Sequence, residues 1–494
     1  MPFLSAVASQ QYPSNVMDNL DGTHARRWHA NPFWRRMVPF VLSPLLLVSP
    51  VLATAADEQA LRFGFAKRTL TPALGDRPVY MAGFGKDRQS TGIHDDLWAR
   101  AVAVGDGRQR VVIVSVDLIG VFHADVEKAR ALLRERAGDV TLIVSSTHNH
   151  EGPDTMGLWG PGRFTSGVDP EYLGLVRRTI VETAADALDR LEPARLVLAK
   201  TRTPSLIVDG RLPEVVAEEL VVLQAVAEDG RTLGTVVSWG SHPEALGGDN
   251  TQITADFPHY LNRRVEEALG GTAIFLVGAI GGLMTPLGLE LTDAAGRPIP
   301  QDSFGLARAV GERAAAAAIQ ALGTSGRDSV SQVVEYRAAR VFVPLENRLF
   351  RLAVFLGVLD RAVYSGGEPA TRAFGDDLQT EIGILRIGDA EMLCVPGEIY
   401  PELVLGGIQD PQDPGADFPG APRETPLASL LTSEYRIVIG LANDEIGYIL
   451  PRSQWDADPP FAYGLEESQY GEINSVGSSV APILAEAFAE LLAR

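Results

Sequence analysis

Short apolar runs alternate with longer amphipathic stretches along this chain, and the alternation predicts an α/β fold. Runs of about four to eight mostly β-branched residues are typical of buried strands, and apolar residues recurring every three or four positions are typical of helices. The predicted strands are 62–66, 98–104, 111–117, 140–144, 221–226, 233–239, 273–277, 333–343, 381–387, 391–395 and 435–439. The predicted helices are 124–136, 171–191, 257–268, 306–322, 349–359 and 481–492. This order predicts mixed β-sheets flanked by helices.

Three segments of the sequence have a predicted role beyond their secondary structure. The polar segment 323–332 is the best candidate for a subdomain junction within a single catalytic domain, 56–494. Helix 349–359 is so apolar that we expect it in the core, with a cover over a substrate channel as the alternative. The Gly- and Pro-rich segment 406–425 is predicted to be a flexible surface loop and is a candidate gate.

The first 55 residues have the order of a secretory signal. Arginines precede the apolar segment 37–52, which leads into small residues with an A-x-A cleavage position after Ala55. Two prolines within this segment and its length of about 16 residues argue against a permanent membrane span. We therefore predict a signal peptide with a long charged region over 1–55, and export to the periplasm or the extracellular space.

Composition narrows the function classes. The chain has 494 residues, 46% hydrophobic and 21% charged, which is typical of a globular protein with a large core. Its formal net charge of -20 repels phosphate backbones, so we expect no nucleic-acid partner. Cys394 is the single cysteine, and one cysteine excludes both a disulfide framework and a cysteine-rich zinc site. Because Cys394 lies in an apolar run, we expect it to be a buried small hydrophobic residue.

Polar residues capable of chemistry directly follow four of the predicted strands. Functional side chains gather at strand ends in α/β proteins, although each of these residues taken singly is more often structural. Two imidazoles and a carboxylate match a catalytic zinc shell that leaves a position for water. No H-E-x-x-H, G-x-S-x-G or phosphate-loop motif is present. The residues are His148 with His150, His242, Glu398, and Asp444 with Tyr448.

Several short motifs occur in a fixed order between Gly64 and the last helix. They are Gly92-Ile93-His94, Leu97-Trp98-Ala99-Arg100-Ala101, Ser115-Val116-Asp117-Leu118, Ser146-Thr147-His148-Asn149-His150-Glu151-Gly152-Pro153, Pro396-Gly397-Glu398, and Gly440-Leu441-Ala442-Asn443 with Gly447-Tyr448. In this order they resemble the N-terminal catalytic domain of neutral/alkaline (non-lysosomal) ceramidases. These are zinc-dependent amidases that split ceramide into sphingosine and a fatty acid.

The resemblance implies a set of site residues. The zinc ligands of the family would fall on His148, His242, Glu398 and Tyr448. His150 would lie beside the metal as a hydrogen-bonding and proton-transfer residue. Two further residues would complete the active site: Tyr470, which would polarise the substrate carbonyl, and Arg211, a candidate counterpart of the family's active-site arginine.

The sequence departs from the family pattern in two places. The family carries a serine in an Asn-Leu-Ser-Pro-like loop, whereas this chain reads Gly282-Leu283-Met284-Thr285-Pro286, which makes Thr285 the candidate replacement. Family members also continue into an immunoglobulin-like domain. Because this sequence closes with the predicted helix before Arg494, we expect no such domain here.

These observations predict a secreted, zinc-dependent amidohydrolase that cleaves an N-acyl lipid such as ceramide, with a role in sphingolipid metabolism. The alternatives are a zinc esterase or amidase acting on another N-acyl or ester substrate, and a catalytically inactive secreted binding protein. Transient contact with a membrane surface is compatible with a lipid substrate, and the oligomeric state stays open. Three acidic residues, Asp117, Glu244 and Asp256, are candidates for orienting the ligand histidines through their second ring nitrogen.

Overall fold

The computed structural model describes residues 60–494, so the predicted signal peptide lies outside the described residues. The helices are α1 (His123–Ala137), α2 (Pro170–Leu188), α3 (Phe257–Leu269), α4 (Phe304–Ser325), α5 (Arg348–Leu356), α6 (Pro401–Leu405) and α7 (Val480–Ala493). The strands are β1 (Arg62–Thr69), β2 (Gly92–Ile93), β3 (Trp98–Gly105), β4 (Arg110–Val116), β5 (Thr141–Ser146), β6 (Glu192–Arg202), β7 (Val208–Asp209), β8 (Glu219–Ala227), β9 (Thr232–Trp239), β10 (Gln252–Ile253), β11 (Thr272–Val277), β12 (Met284–Thr285), β13 (Arg327–Asp328), β14 (Val334–Pro344), β15 (Val363–Ser365), β16 (Glu368–Ala370), β17 (Asp377–Ile387), β18 (Ala390–Cys394), β19 (Glu398–Ile399), β20 (Tyr435–Ile439) and β21 (Tyr448–Ile449).

Two mixed sheets contain most of these strands. The larger has the order β11-β9-β8-β6-β1-β3-β4-β5, with β13 paired to β6. The smaller has the order β16-β15-β17-β18-β20, with β14 paired to β17. Within these two sheets three neighbouring pairs are parallel, namely β4 with β5, β9 with β11, and β18 with β20. The prediction of mixed sheets flanked by helices is therefore confirmed.

The two sheets pack face to face, and helices cover their outer faces. Phe63 and Ile113 of the larger sheet share one apolar cluster with Leu385 and Ile437 of the smaller sheet. Helices α1 and α2 cover one half of the larger sheet's outer face, and α3 and α4 cover the other half. Helices α5, α6 and α7 contribute to the cluster on the outer side of the smaller sheet. The resulting layer order is helices, sheet, sheet, helices.

Local sequence signals explain where the helices begin. Asp169 caps α2 by accepting a hydrogen bond from the Glu171 amide, and Ser303 caps α4 through the Leu306 amide. Asn347 caps α5 through the amides of residues 349 and 350. None of the helices in residues 60–494 combines the length and hydropathy that a bilayer crossing requires.

Strand β6 is the main element that the sequence patterns missed. Its residues 192–202 have mixed polarity because Arg195 and Lys200 reach solvent while Leu196 and Leu198 are buried between the sheets. The polar segment 323–332 leads from α4 through β13 of the larger sheet towards β14 of the smaller sheet. The subdomain division proposed there stays a prediction.

Candidate metal centre and active site

Strand ends from both sheets bring the candidate ligands together. His148 follows β5 by two residues, and His242 follows β9 by three. His148 has a φ of +65°, so the backbone leaves the extended conformation of the strand at this residue. Glu398 and Tyr448 are direct partners in the parallel pair β19–β21. The site therefore forms at the carboxyl ends of the parallel strands, where the sequence pattern predicted it.

The loop after β20 joins the two sheets beside the site. The Asn443 amide donates to the Val144 carbonyl at 2.7 Å, and the Asn443 side chain accepts from the Val144 amide at 3.0 Å. Gly440 lies so close to the other sheet that a Cβ there would be 2.5 Å from the Gly278 carbonyl oxygen. The glycine thus permits the backbone approach that brings the two halves of the site together.

The four candidate ligands lie close to one another. Glu398 Oε2 lies 2.9 Å from His242 Nε2 and 3.3 Å from His148 Nε2, and the Tyr448 hydroxyl lies 3.4 Å from His242 Nε2. Ligands bound tetrahedrally to zinc at about 2.0–2.2 Å are separated by about 3.3 Å. The observed separations are therefore close to those of a common zinc shell.

The orientation of the His148 and His242 rings is also suited to metal binding. His148 Nδ1 donates to the Ile119 carbonyl at 2.8 Å, and His242 Nδ1 donates to the Met284 carbonyl at 2.9 Å. Each Nε2 atom thereby faces the centre, where its lone pair is available to a bound metal ion once Nε2 carries no proton, as in metal-binding histidines. The residues present fit a bound metal ion. Buried ring nitrogens of His148, His150 and His242 also lie within 4.8 Å of one another.

The expectation that acidic residues orient the ligand histidines is wrong. Asp117 accepts a hydrogen bond from the Trp98 amide, and Asp256 caps α3 at the Phe257 amide. Glu244 lies 3.4 Å from Nδ1 of His150, which is not one of the four predicted ligands. Backbone carbonyls take the orienting role because the strand-end turns place them directly behind both rings.

His150 is the most unusual histidine of the site. Its ring is buried, and neither ring nitrogen has a hydrogen-bond partner within residues 60–494. Burial, followed by the neighbouring rings of His148 and His242, holds the pKa of His150 well below its ordinary value. Gly83 makes room for it, since a Cβ at that position would be 2.4 Å from the ring. His150 is therefore a neutral imidazole at the centre.

The charges of the other groups depend on one another. Burial by itself would raise the pKa of Glu398, but His148 and His242 outweigh burial and hold that pKa well below the ordinary value. Burial likewise opposes protonation of His242, yet its hydrogen bond to Glu398 raises the pKa. Burial and the nearby Glu398 carboxylate raise the pKa of Tyr448 well above that of a free phenol. A cation at this centre would reverse that effect on Tyr448.

Tyr470 lies at the outer edge of the centre. Its ring is 5.5 Å from the Tyr448 ring, and its hydroxyl accepts a hydrogen bond from the Asn474 side chain at 2.8 Å. Burial of the hydroxyl and the charge on Glu398 raise its pKa to about 12. The Tyr470 hydroxyl therefore keeps its proton and is a hydrogen-bond donor at neutral pH.

The structure places Arg211 behind Tyr470 rather than in the cavity. Arg211 forms a buried ion pair with Glu472 through contacts of 2.7 and 2.9 Å. It also donates to the Tyr470 carbonyl at 3.0 Å, and it is absent from the cavity lining. This arrangement holds the Tyr470 backbone in place, and a direct role of Arg211 in the active site stays a prediction.

Thr285 also lies outside the cavity lining. It is buried, and its hydroxyl accepts a hydrogen bond from the Leu287 amide at 3.1 Å. Its neighbour Met284 supplies the carbonyl that orients His242. No residue of the candidate gate 406–425 lines the cavity.

A cavity of about 720 Å³ leads from the candidate metal centre to the surface. His148, His150, Glu398, Tyr448 and Tyr470 form its inner part. The expectation that helix 349–359 lies in the core is wrong, because α5 forms a wall of this cavity and exposes several apolar residues. The other apolar lining residues are Phe84, Ile119, Met156, Leu158, Trp159, Phe164, Val358 and Ile473.

Glu445 is a buried lining residue that the sequence patterns missed. One carboxyl oxygen accepts a hydrogen bond from the Gly447 amide at 2.7 Å, whereas the other has no partner within residues 60–494. Burial and then the charge on Glu398 raise the pKa of Glu445 well above its ordinary value. Its position in an acidic stretch, Asp444-Glu445, resembles a surface turn in sequence, so no local signal distinguishes it.

No family model matches the sequence. Among solved structures, neutral ceramidase from Pseudomonas aeruginosa matches with 18% identity and a TM-score of 0.65, over 88% of this chain and 74% of that chain. A ceramidase complexed with C2 matches with 18% identity and a TM-score of 0.66, over 88% of this chain and 75% of that chain. The resemblance found in the sequence motifs is confirmed at the level of the three-dimensional fold: residues 60–494 adopt the fold of neutral ceramidases.

Proposed function

We propose that this protein is an exported, zinc-dependent amidohydrolase that cleaves the amide bond of an N-acyl lipid such as ceramide. The observation that carries the proposal is a buried ligand set at the inner end of a mostly apolar cavity of about 720 Å³. The fold shared with ceramidases supports the same reaction class. Export is proposed from the charged, apolar and small-residue order of residues 1–55.

The ligand set proposed for the zinc ion is His148, His242, Glu398 and Tyr448. When bound, zinc acts as a Lewis acid and lowers the pKa of a coordinated water to about 7. The two imidazoles are neutral ligands whose Nδ1 protons are held by carbonyl groups. This arrangement fixes both rings before any metal binds and reduces the reorganisation that binding requires.

His150 and Tyr470 would carry the proton transfers and carbonyl polarisation. The neutral ring of His150 accepts a proton from the attacking water and delivers it to the leaving amine nitrogen when the carbon–nitrogen bond breaks. The Tyr470 hydroxyl donates a hydrogen bond to the carbonyl oxygen, on which negative charge develops. Both side chains line the same inner part of the cavity.

The apolar wall of the cavity suits a long acyl or alkyl chain. Phe84, Met156, Leu158 and Trp159 line the cavity together with apolar residues of α5. Each buried methylene of a ligand contributes about 0.8 kcal/mol to binding in such surroundings. A substrate with a longer chain should therefore bind more tightly until the chain extends beyond the cavity.

The deciding experiment couples metal content to amide hydrolysis. We expect near-stoichiometric zinc in the purified protein and release of fatty acid from a short-chain fluorescent ceramide, both removed by a chelator. His148→Ala should lose zinc and activity together, because it removes one ligand. His94→Ala is the matched control, since that imidazole lies outside the cavity lining and should leave both measurements unchanged.

Other outcomes would redirect the proposal. Zinc without fatty-acid release would favour an esterase or amidase acting on a different N-acyl or ester compound. Absence of zinc after reconstitution, together with ligand binding, would favour a binding protein. Full activity with bound zinc in His148→Ala would contradict the proposed ligand set.

A further inference from the structure

Large apolar side chains are exposed around the mouth of the cavity. Within residues 60–494, six of the seventeen exposed large hydrophobic residues line this one cavity. They are Phe164, Leu349, Leu352, Leu356, Tyr470 and Ile473. Exposed apolar residues scattered singly are ordinary, but a cluster at one opening indicates a binding surface.

Helix α5 supplies most of this surface. Val354 anchors it in the core and Asn347 caps its first turn, whereas Leu349, Leu352, Phe355 and Leu356 are 44–59% exposed. The spacing of three and four residues places the exposed residues along one side of the helix. This side has no partner within the described residues. We call Phe164, Ile473 and the exposed apolar residues of α5 the apolar rim.

The charged residues of α5 and the exposed charged residues of the cavity lining are cationic, although the whole protein is acidic. Arg348 and Arg351 lie on α5, which contains no acidic residue. Lys86 and Arg163 are the exposed charged residues of the cavity lining, since Glu398 and Glu445 are buried. Against a net charge of -20 for the chain, this surface is complementary to an anionic partner.

We propose that the apolar rim docks on an anionic lipid bilayer, with α5 lying in the plane of the interface. An amphipathic helix of this kind inserts its apolar residues about 5–10 Å into the boundary between headgroups and acyl chains. The four cations would then face the negatively charged headgroups. A protein partner seated on the rim would close the cavity, whereas a bilayer leaves it open to a lipid from the membrane.

Binding to vesicles tests this proposal without relying on amide hydrolysis. The purified protein is mixed with vesicles of phosphatidylcholine, or of phosphatidylcholine and phosphatidylglycerol, and separated by flotation. We expect binding to the mixed vesicles, with weaker binding to neutral vesicles and at high salt. Replacing Arg348 and Arg351 by Gln should weaken the apparent affinity roughly fivefold for each charge.

Phe355→Glu is the most informative variant. Phe355 is exposed and lies outside the cavity lining, so the substitution should leave folding, zinc content and cleavage of a soluble short-chain substrate unchanged. Affinity for mixed vesicles should fall at least about tenfold, because an apolar group is replaced by an anion. Leu132→Glu on α1 is the control, since Leu132, like Phe355, is an exposed apolar residue of a helix and lies outside the cavity lining.

The proposal is overturned if the wild-type protein does not float with the mixed vesicles, or if Phe355→Glu and Leu132→Glu bind equally. It is also overturned if sedimentation shows a dimer that Phe355→Glu dissociates while vesicle binding is absent. Retained vesicle binding in a chain without amidase activity would separate this proposal from the proposed reaction.

Discussion

At the scale of single residues, the two candidate active-site tyrosines differ in exposure and surroundings. The Tyr448 hydroxyl is buried 3.4 Å from His242 Nε2, among the candidate metal ligands. Tyr470 is 47% exposed and faces the cavity beside Asn474. Buried phenols close to a cation can become metal ligands, whereas a protonated phenol at the cavity edge can donate a hydrogen bond.

Replacement of Tyr470 by Phe tests the donor role. We expect kcat to fall by about 10²–10³-fold, with KM changed by no more than about twofold and zinc content unchanged. Tyr463→Phe removes a hydroxyl that binds Gln409 and should leave kcat unchanged. Loss of zinc in Tyr470→Phe would contradict the separation of roles between the two tyrosines.

Arg211 provides a second test at this scale. Because its ion pair with Glu472 is buried, Arg211→Met should reduce the free energy of unfolding by about 3–5 kcal/mol. Adding Glu472→Gln should recover part of that loss by removing the unpaired carboxylate. Urea denaturation measures both effects. A large loss of kcat with unchanged stability would instead indicate direct contact between Arg211 and the substrate.

At the scale of secondary-structure elements, the site depends on how closely the ends of the strands approach one another. The loop after β20 contacts the ends of β5 and β11 through hydrogen bonds from its backbone. The amides of Asn443 and Gly440 donate to Val144 and Val277, which belong to different strands of the larger sheet. A small shift between the sheets would therefore move Glu398 and Tyr448 away from both histidines.

Gly440→Ala tests this dependence. The new methyl group would lie 2.5 Å from the Gly278 carbonyl oxygen, and we expect the free energy of unfolding to fall by about 1–3 kcal/mol. Gly323→Ala in α4 meets no atom within 4 Å and should stabilise the protein by up to about 1 kcal/mol. Denaturant titration of both variants would show opposite signs. Equal changes in the free energy of unfolding for the two variants would mean that the strand ends move apart at no cost to accommodate the new methyl group.

At the scale of the whole molecule, the dependence of stability on pH includes opposite contributions from buried acids whose pKa is raised and buried acids whose pKa is lowered. Burial raises the pKa of Glu151 and Glu402 to about 8. Burial also opposes ionisation of Glu381, but hydrogen bonds from Arg130 outweigh it and lower its pKa. Glu381 therefore contributes stability that is lost as the pH falls through its folded pKa. Glu402 acts in the opposite direction, because its proton is held more tightly in the folded state.

Glu402→Gln tests the effect of a buried acid whose pKa is raised. Between its ordinary pKa of 4.5 and its folded pKa of about 8, the wild-type protein loses stability as the pH rises, whereas Gln cannot ionise. The Tm of the variant should therefore rise relative to that of the wild type between pH 5 and pH 8. Thermal unfolding at both pH values, at a fixed zinc concentration, measures the difference. A constant difference would mean that Glu402 titrates normally.

The sequence alone determined most elements and the position of the site at strand ends. The β-branched runs before His148, His242 and Glu398 predicted strands, and each strand was found with ends shifted by only a few residues. Residues that directly follow a strand lie at the end of the sheet, independently of the segments that pack around them. For this reason periodicity was sufficient to place His148, His242 and Glu398 after strand ends, whereas the set of four ligands, which includes Tyr448, came from the resemblance to ceramidases.

Only the tertiary structure decided what surrounds those ligands. The Ile119 and Met284 carbonyls orient the histidines, and no side-chain pattern encodes a carbonyl contact. Arg211 and Glu472 pair across 261 residues, so local sequence could not reveal that Arg211 is a support for Tyr470. The apolar pattern of α5 fits a core helix and an exposed rim equally well. Helix α5 becomes a core helix only if another segment covers its apolar side. Whether a segment does so depends on packing between parts of the chain that are distant in sequence.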